Sequence, residues 1–166
     1  MKGRITGLLA LTLWSLPLQA RATPAPDCKP RQIMVSLDDG QGAFNGMMHS
    51  GTWVVVRNTG RRACSVAGMG PPVFEDGRHH SLAVAWRQAV PAPAMVLPAG
   101  GQVKTALRWV SGNVFDPGAC MTPATLALPL RHGRVRHGFA HALCGPAGQP
   151  PALEQQPWTE GAPEAG

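Results

Sequence analysis

The sequence predicts an all-β domain: an antiparallel immunoglobulin-like β-sandwich closed by two disulfides. Three observations carry this expectation. Short segments alternate apolar and polar residues with period two, turn residues recur every ~8–12 positions, and the 4 cysteines form an even set. About seven short strands without a convincing helical window suit a sandwich. A small barrel is the second architecture the pattern allows.

The first segment is not part of the fold. Lys2 and Arg4 precede an apolar run from Ile5 to Leu18, and Ala20-Arg21-Ala22 supplies small residues at a cleavage site. Residues 1–22 therefore read as a signal peptide cleaved after Ala22, which makes the product exported, periplasmic or secreted. The run is shorter than the ~20 residues that span a bilayer, and no later segment serves as a stop-transfer sequence. Membrane spanning is not expected. The first cysteine, Cys28, follows Asp27 well beyond Ala22, so a lipid anchor does not fit.

Residues 23–144 suit one domain with a single core. Ile33, Val35 and Leu37 alternate with Met34 and Ser36, and Asp38-Asp39-Gly40 ends that strand in a turn. A glycine-rich loop leads to Thr52 through Arg57, an aromatic and β-branched run expected to be a central strand. Cys64 to Val66 and Val73 to Glu75 flank Gly68 to Pro72, and the Asp76-Gly77 turn predicts a hairpin into His80 to Trp86. Pro91, Pro93 and Pro98 confine Met95 to Leu97 to a short edge strand. Val103, Thr105, Leu107 and Trp109 alternate with Lys104, Ala106 and Arg108, which places cations on one face of a half-buried strand. Thr125 to Leu130 and Gly138 to Leu143 read as a last pair, joined through Arg131 to His137. From Gly145 onward Pro, Ala, Gly, Gln and Glu dominate, so 145–166 is expected to be a disordered tail with Leu153 and Trp158 as tethers.

Charge is modest. The formal net charge is +6, but Lys2, Arg4 and Arg21 leave with the signal peptide. A mildly cationic body with an acidic tail favours anionic partners weakly and does not establish specific nucleic-acid binding.

Exported thiols meet an oxidising compartment, so Cys28, Cys64, Cys120 and Cys144 are expected to form two disulfides. No Cys-x-x-Cys pair supports zinc. Of the three possible pairings, the sequential one, Cys28 with Cys64 and Cys120 with Cys144, is our expectation.

Several short motifs occur in a particular order: Cys28, Asn45 to Thr52, Val56-Arg57-Asn58-Thr59-Gly60, Cys64, Leu97-Pro98-Ala99-Gly100-Gly101, Leu107-Arg108-Trp109 and Cys120. In this order the chain, from about Cys28 to Cys144, resembles the bacterial secreted domain of unknown function 4232. The resemblance implies an exported immunoglobulin-like sandwich, lipid-anchored in many relatives, and carries over no catalytic residue.

Two surfaces stand out as binding candidates. Asn45, Met47, Met48 and His49 cluster in one loop; its thioethers and imidazole suit copper(I), whereas the structural reading has the methionines plugging the end of the sandwich. Arg131, Arg134 and Arg136, with His132 and His137, form the densest basic segment. It suits a phosphate or carboxylate polymer, or else a solvated hairpin tip. His79-His80 reads as a surface pair. No Gly-x-Ser-x-Gly elbow or paired carboxylates point to catalysis. The expectation is a non-catalytic binding or structural module of the cell envelope with no cofactor, acting on an envelope protein or an anionic envelope component. A copper-binding protein using Met47, Met48 and His49 is the alternative.

Overall fold

The structure, a computed structural model, describes residues 24–89 and 91–161, so the signal-peptide segment 1–22 lies outside it. The described residues form an all-β, mostly antiparallel domain. After a short 3-10 turn at Pro30–Gln32, β1 (Ile33–Asp38) pairs with β2 (His49–Asn58), and β2 pairs along most of its length with the later strand at Gln102–Val110. Between them come β3 (Cys64–Ser65), β4 (Val73–Glu75), β5 (Ala85–Gln88), β6 (Val96–Leu97) and β7 (Gln102–Val110). The chain ends through β8 (Gly118–Met121), β9 (Thr125–Leu130), β10 (Gly133–Gly138), β11 (Leu143–Pro146), β12 (Ala152–Gln155) and β13 (Thr159–Glu160).

The large sheet runs β1-β2-β7-β12-β5, with β13 also on β7; the second layer is β10-β9-β4, and β11-β8 and β3-β6 are two small ladders. Alternation decides which side chains meet. Val54 and Val56 of β2, Val103, Leu107 and Trp109 of β7, and Leu153 of β12 join Phe74, Leu126, Leu128 and Leu130 of the second layer in one core. Each strand thus gives every second residue to the interior, as a two-layer sandwich requires. Phe139 packs edge-on against Phe74 and Trp109, bridging the layers.

Two disulfides form in the sequential pairing expected: Cys28–Cys64 ties the segment before β1 to β3, and Cys120–Cys144 joins facing residues of the β8–β11 ladder. Asn58 does equivalent work with hydrogen bonds. Its fully buried Nδ2 donates to the carbonyls of Arg62, Leu97 and Pro98 at 2.8, 3.0 and 3.1 Å, and its Oδ1 accepts from Gly60 N. Its backbone also pairs with Gly100 and Gly101. The motifs around Asn58 and Leu97 to Gly101 therefore meet at one buried joint.

Four expectations are corrected. Val73 to Glu75 and His80 to Trp86 do not form a hairpin: apart from a bridge at Glu75 and Ser81, β4 pairs with β9 while β5 pairs with β12 in the other sheet. The β5–β12 pair is also parallel, within an otherwise antiparallel sheet. Arg131 to His137 is not a connection between strands but contains β10, which pairs with β9 through a two-residue turn at Arg131-His132; Leu143 belongs to the β11–β8 ladder. The fourth correction concerns the tail. Residues 152–155 form a strand inside the large sheet, and Leu153, Gln155 and Trp158 are buried, so the domain does not end at Cys144. Burying Leu153, between β7 and β5, and Trp158 in the core offsets the ordering cost that the Pro/Gly-rich composition suggested would not be repaid. Among the described residues, no helix is long and apolar enough to cross a membrane.

Candidate functional site

The first candidate loop is held by its backbone. Gly46 and His49 exchange backbone hydrogen bonds, so Met47 and Met48 form a two-residue hairpin tip with Met48 at φ 60°. That left-handed conformation, unusual for methionine, is tied down where the Met48 carbonyl accepts from Ser111 N and Gly112 N. Gly112 lies close beneath the Met48 side chain, whose sulfur would have to move for a Cβ there. The methionines do not plug the sandwich. Met47 is 90% exposed and Met48 50%, because the tip projects beyond the last strand pairs. Asn45 is exposed, and the His49 Nδ1 lies 3.0 Å from the Met47 carbonyl. Phe44 performs the packing instead: it lies buried over Gly51, edge-on to Trp53, with Arg108 over its ring. Of the loop candidates, His49 reaches a cleft, of about 420 Å3, whereas Met47 and Met48 do not line it. No group of three or more His, Cys, Asp or Glu is placed to hold a metal ion among the described residues.

The basic segment has more organised geometry. On β10, Arg134 and Arg136 stand two apart and so face the same side. Both reach across β9, where the register sets Arg136 opposite the small Ala127, to the carboxylate of Glu75 on β4. Arg136 donates through Nε at 2.7 Å and Nη2 at 3.3 Å, and Arg134 through Nη1 at 2.9 Å. His79 Nδ1 lies 3.3 Å from the same carboxylate. The Glu75 side chain is 0% exposed, while Arg134 and Arg136 remain 49% and 40% exposed. Hydrogen bonding from Arg136, aided by Arg134 and opposed by burial, holds the Glu75 carboxyl below its ordinary range, and Glu75 in turn raises Arg136.

Around this clamp the same division repeats. Asp27 Oδ2 lies 3.3 Å from Arg131 Nη1 and 3.4 Å from His132 Nε2. Asp76 accepts from the backbone of His80 and Arg78 and lies 3.1 Å from His80 Nδ1, which keeps its carboxyl below the usual value, chiefly through the His80 backbone bond. Lys29 precedes the 3-10 turn that packs on β10, Arg31 lies within it, and both are exposed. Carboxylates sit inward here and guanidiniums and imidazoles outward. The structure thus sets Arg134 and Arg136 on one face of β10, over Glu75, and Arg131 in the exposed two-residue turn that leads into that strand. Glu75, the residue that organises it, carries no sequence signal: an acid in a three-residue strand, roughly sixty positions from its partners, has no local pattern to announce it.

Among curated proteins and among solved structures, no match to the chain is found. One family model, described as a domain of unknown function, DUF4232, matches residues 28–159. That span takes in both disulfides, the Asn58 joint and β12, which supports the C-terminal strand as part of the domain. With most of its length so matched, the chain belongs to the family of domain of unknown function 4232.

Proposed function

We propose that this protein is an exported, non-catalytic binding module that holds an anionic envelope component on the basic face built around β10. Export is supported by the leader at 1–22 and by two disulfides, which persist in oxidising compartments. The observation that carries the binding reading is the burial asymmetry of the face. Glu75 is sealed beneath two guanidiniums and Asp27 is mostly buried, while Arg131, Arg134 and Arg136 keep much of their surface in solvent. One carboxylate shared by two arginines leaves an unbalanced positive charge. Arg136 spends two of its five N–H donors and Arg134 one on Glu75, so outward-facing donors remain for phosphate or carboxylate oxygens. Guanidiniums stay charged at any physiological pH and exchange no protons there, which suits holding an anion rather than acid–base chemistry.

The test uses linear inorganic polyphosphate as probe and the Lys29→Glu, Arg31→Glu, Arg131→Glu variant, which leaves the Glu75 clamp intact. Binding by the parent at low salt, weakened at least about tenfold in the variant, supports the reading. Equal binding by both proteins, or none by the parent, overturns it.

A further inference from the structure

A second surface lies on the other sheet. We infer that the cleft across the outer face of this sheet binds a small amphipathic carboxylate, its carboxylate on Arg108 and its apolar body against Phe115 and Pro146. The cleft, about 420 Å3, falls within the size range of small-ligand pockets. Its floor crosses β7, β12 and β5 through Arg108 and Val110, Ala152 and Glu154, and Ala85 and Arg87. Each pair stands two apart on its strand and so faces away from the core that Leu107, Trp109 and Leu153 enter.

The first feature that defines the ligand is a pair of charges that part. The register sets Glu154 opposite Arg108, a cross-strand position from which opposite charges ordinarily meet. Here they diverge. Arg108 leans toward β2, its guanidinium 5.2 Å from the centre of the Phe44 ring, which lies over Gly51, the residue opposite Arg108 on that strand. Glu154 turns the other way, to Arg87 at 3.7 Å, both side chains being exposed. Arg87 is placed for this by an irregularity in β5: Leu153 pairs with Trp86 and Glu154 with Gln88, so Arg87 is the extra residue of a bulge, which re-aims its side chain. Arg108 is left without an ion pair among the described residues.

The second feature is how Arg108 is held. Attraction of a cation to a ring needs no oxygen acceptor, so Phe44 positions the guanidinium while its donors stay available to oxygen. Phe44 is itself buried and edge-on to Trp53, which fixes the platform. A carboxylate takes two parallel N–H···O bonds from such a fork. The lining holds two arginines against one glutamate, so a single further negative charge balances it, whereas a doubly charged phosphate would add repulsion from Glu154.

An apolar wall is the third feature. Phe115, Pro146 and Pro150 line the same cleft. Phe115 precedes β8 and Pro146 ends β11, and the Cys120–Cys144 disulfide ties those two strands together, so the wall is set before a ligand arrives. It favours a carboxylate carrying a ring or a branched chain over one with no apolar body.

The experiment is a titration of the ¹⁵N-labelled mature protein with 3-phenylpropionate, beside its neutral amide and acetate. The expected result is that 3-phenylpropionate shifts the amides around Arg108, Glu154 and Gly145 and binds at least about tenfold more tightly than either control. Arg108→Gln, at an exposed position, removes the preference for acid over amide. Glu154→Gln, by removing the lining negative charge, tightens binding of the acid, which a damaged fold would not do. Binding of either control as tight as that of 3-phenylpropionate, no binding, a preference for acid kept by Arg108→Gln, no tightening in Glu154→Gln, or shifts confined to β10 and its turns would overturn the inference. Binding of peptides that end in phenylalanine, with none of 3-phenylpropionate, would also overturn it, by assigning the cleft to the C-terminus of a partner chain. The outcome is independent of the basic face, which sits on the other sheet and is probed with polyphosphate.

Discussion

Replacing Asn58 by Ala should cost about 3–7 kcal/mol, a large share of the ~5–15 kcal/mol that stabilises a typical domain. The side chain is fully buried, and its Nδ2 serves three carbonyls while its Oδ1 serves Gly60 N. The bond to Leu97 is wholly buried, so its carbonyl loses its partner without access to water, at about 1–3 kcal/mol. The bonds to Arg62, Pro98 and Gly60 are partly buried, and water replaces them in part, at about 0.5–1.5 kcal/mol each. Urea denaturation with both disulfides intact measures the change at constant slope. Asn58→Asp is more informative still. It sets a carboxylate oxygen against three carbonyls, which raises that carboxyl's pKa in the folded state; the variant should be less stable than Asn58→Ala at neutral pH and regain stability as pH falls. A loss below about 1 kcal/mol for Asn58→Ala, or an Asp variant as stable as the parent at pH 7, would refute the joint as a source of stability.

Glu75→Gln should flatten the acid limb of the stability profile. The native carboxyl titrates below its ordinary value of 4.5, so its contribution is complete above that pH and fades as pH falls through the depressed folded value. Thermal melts from pH 7 down to pH 2 check this, and an unchanged acid slope contradicts it. Gly51→Ala should destabilise by about 1–3 kcal/mol, since its Cβ would stand 2.5 Å from the Leu107 carbonyl oxygen and 2.6 Å from Phe44 Cδ1; denaturation with parent-like stability would show that Phe44 does not need this close approach. Met47→Ala should change stability by no more than about 0.5 kcal/mol, because its side chain is 90% exposed. A loss above about 2 kcal/mol would restore methionine as the plug of the sandwich.

Long alternating runs were readable because one buried face fixes their register: β1, β2 and β7 each carry the period-two pattern that their burial repeats. The disulfide pairing was readable for a simpler reason, the even count and the sequential choice. β12 was hidden because four residues among prolines and glycines have little intrinsic preference, and neighbours on both sides make them a strand. β10 was mistaken for a turn because Arg134 and Arg136 look solvated until Glu75, on a distant strand, is placed beneath them. The Met47-Met48 tip followed the same logic in reverse: apolar side chains suggested burial, while the backbone bonds of Gly46 and His49 put them in water. Local pattern thus located the strands that span the sheet, and long-range pairing decided where charge ended up.

The most direct test of the basic face is the salt dependence of polyphosphate binding. Each phosphate contact made by a cation releases counterions, so log affinity should fall linearly with log salt concentration, and Arg131→Gln should reduce the slope by about one while leaving the fold intact. Arg134→Gln should do the same, with Arg136 still holding Glu75 through two bonds. A slope unchanged in both variants, measured on protein shown folded by circular dichroism, would contradict the assignment of this face to an anionic partner.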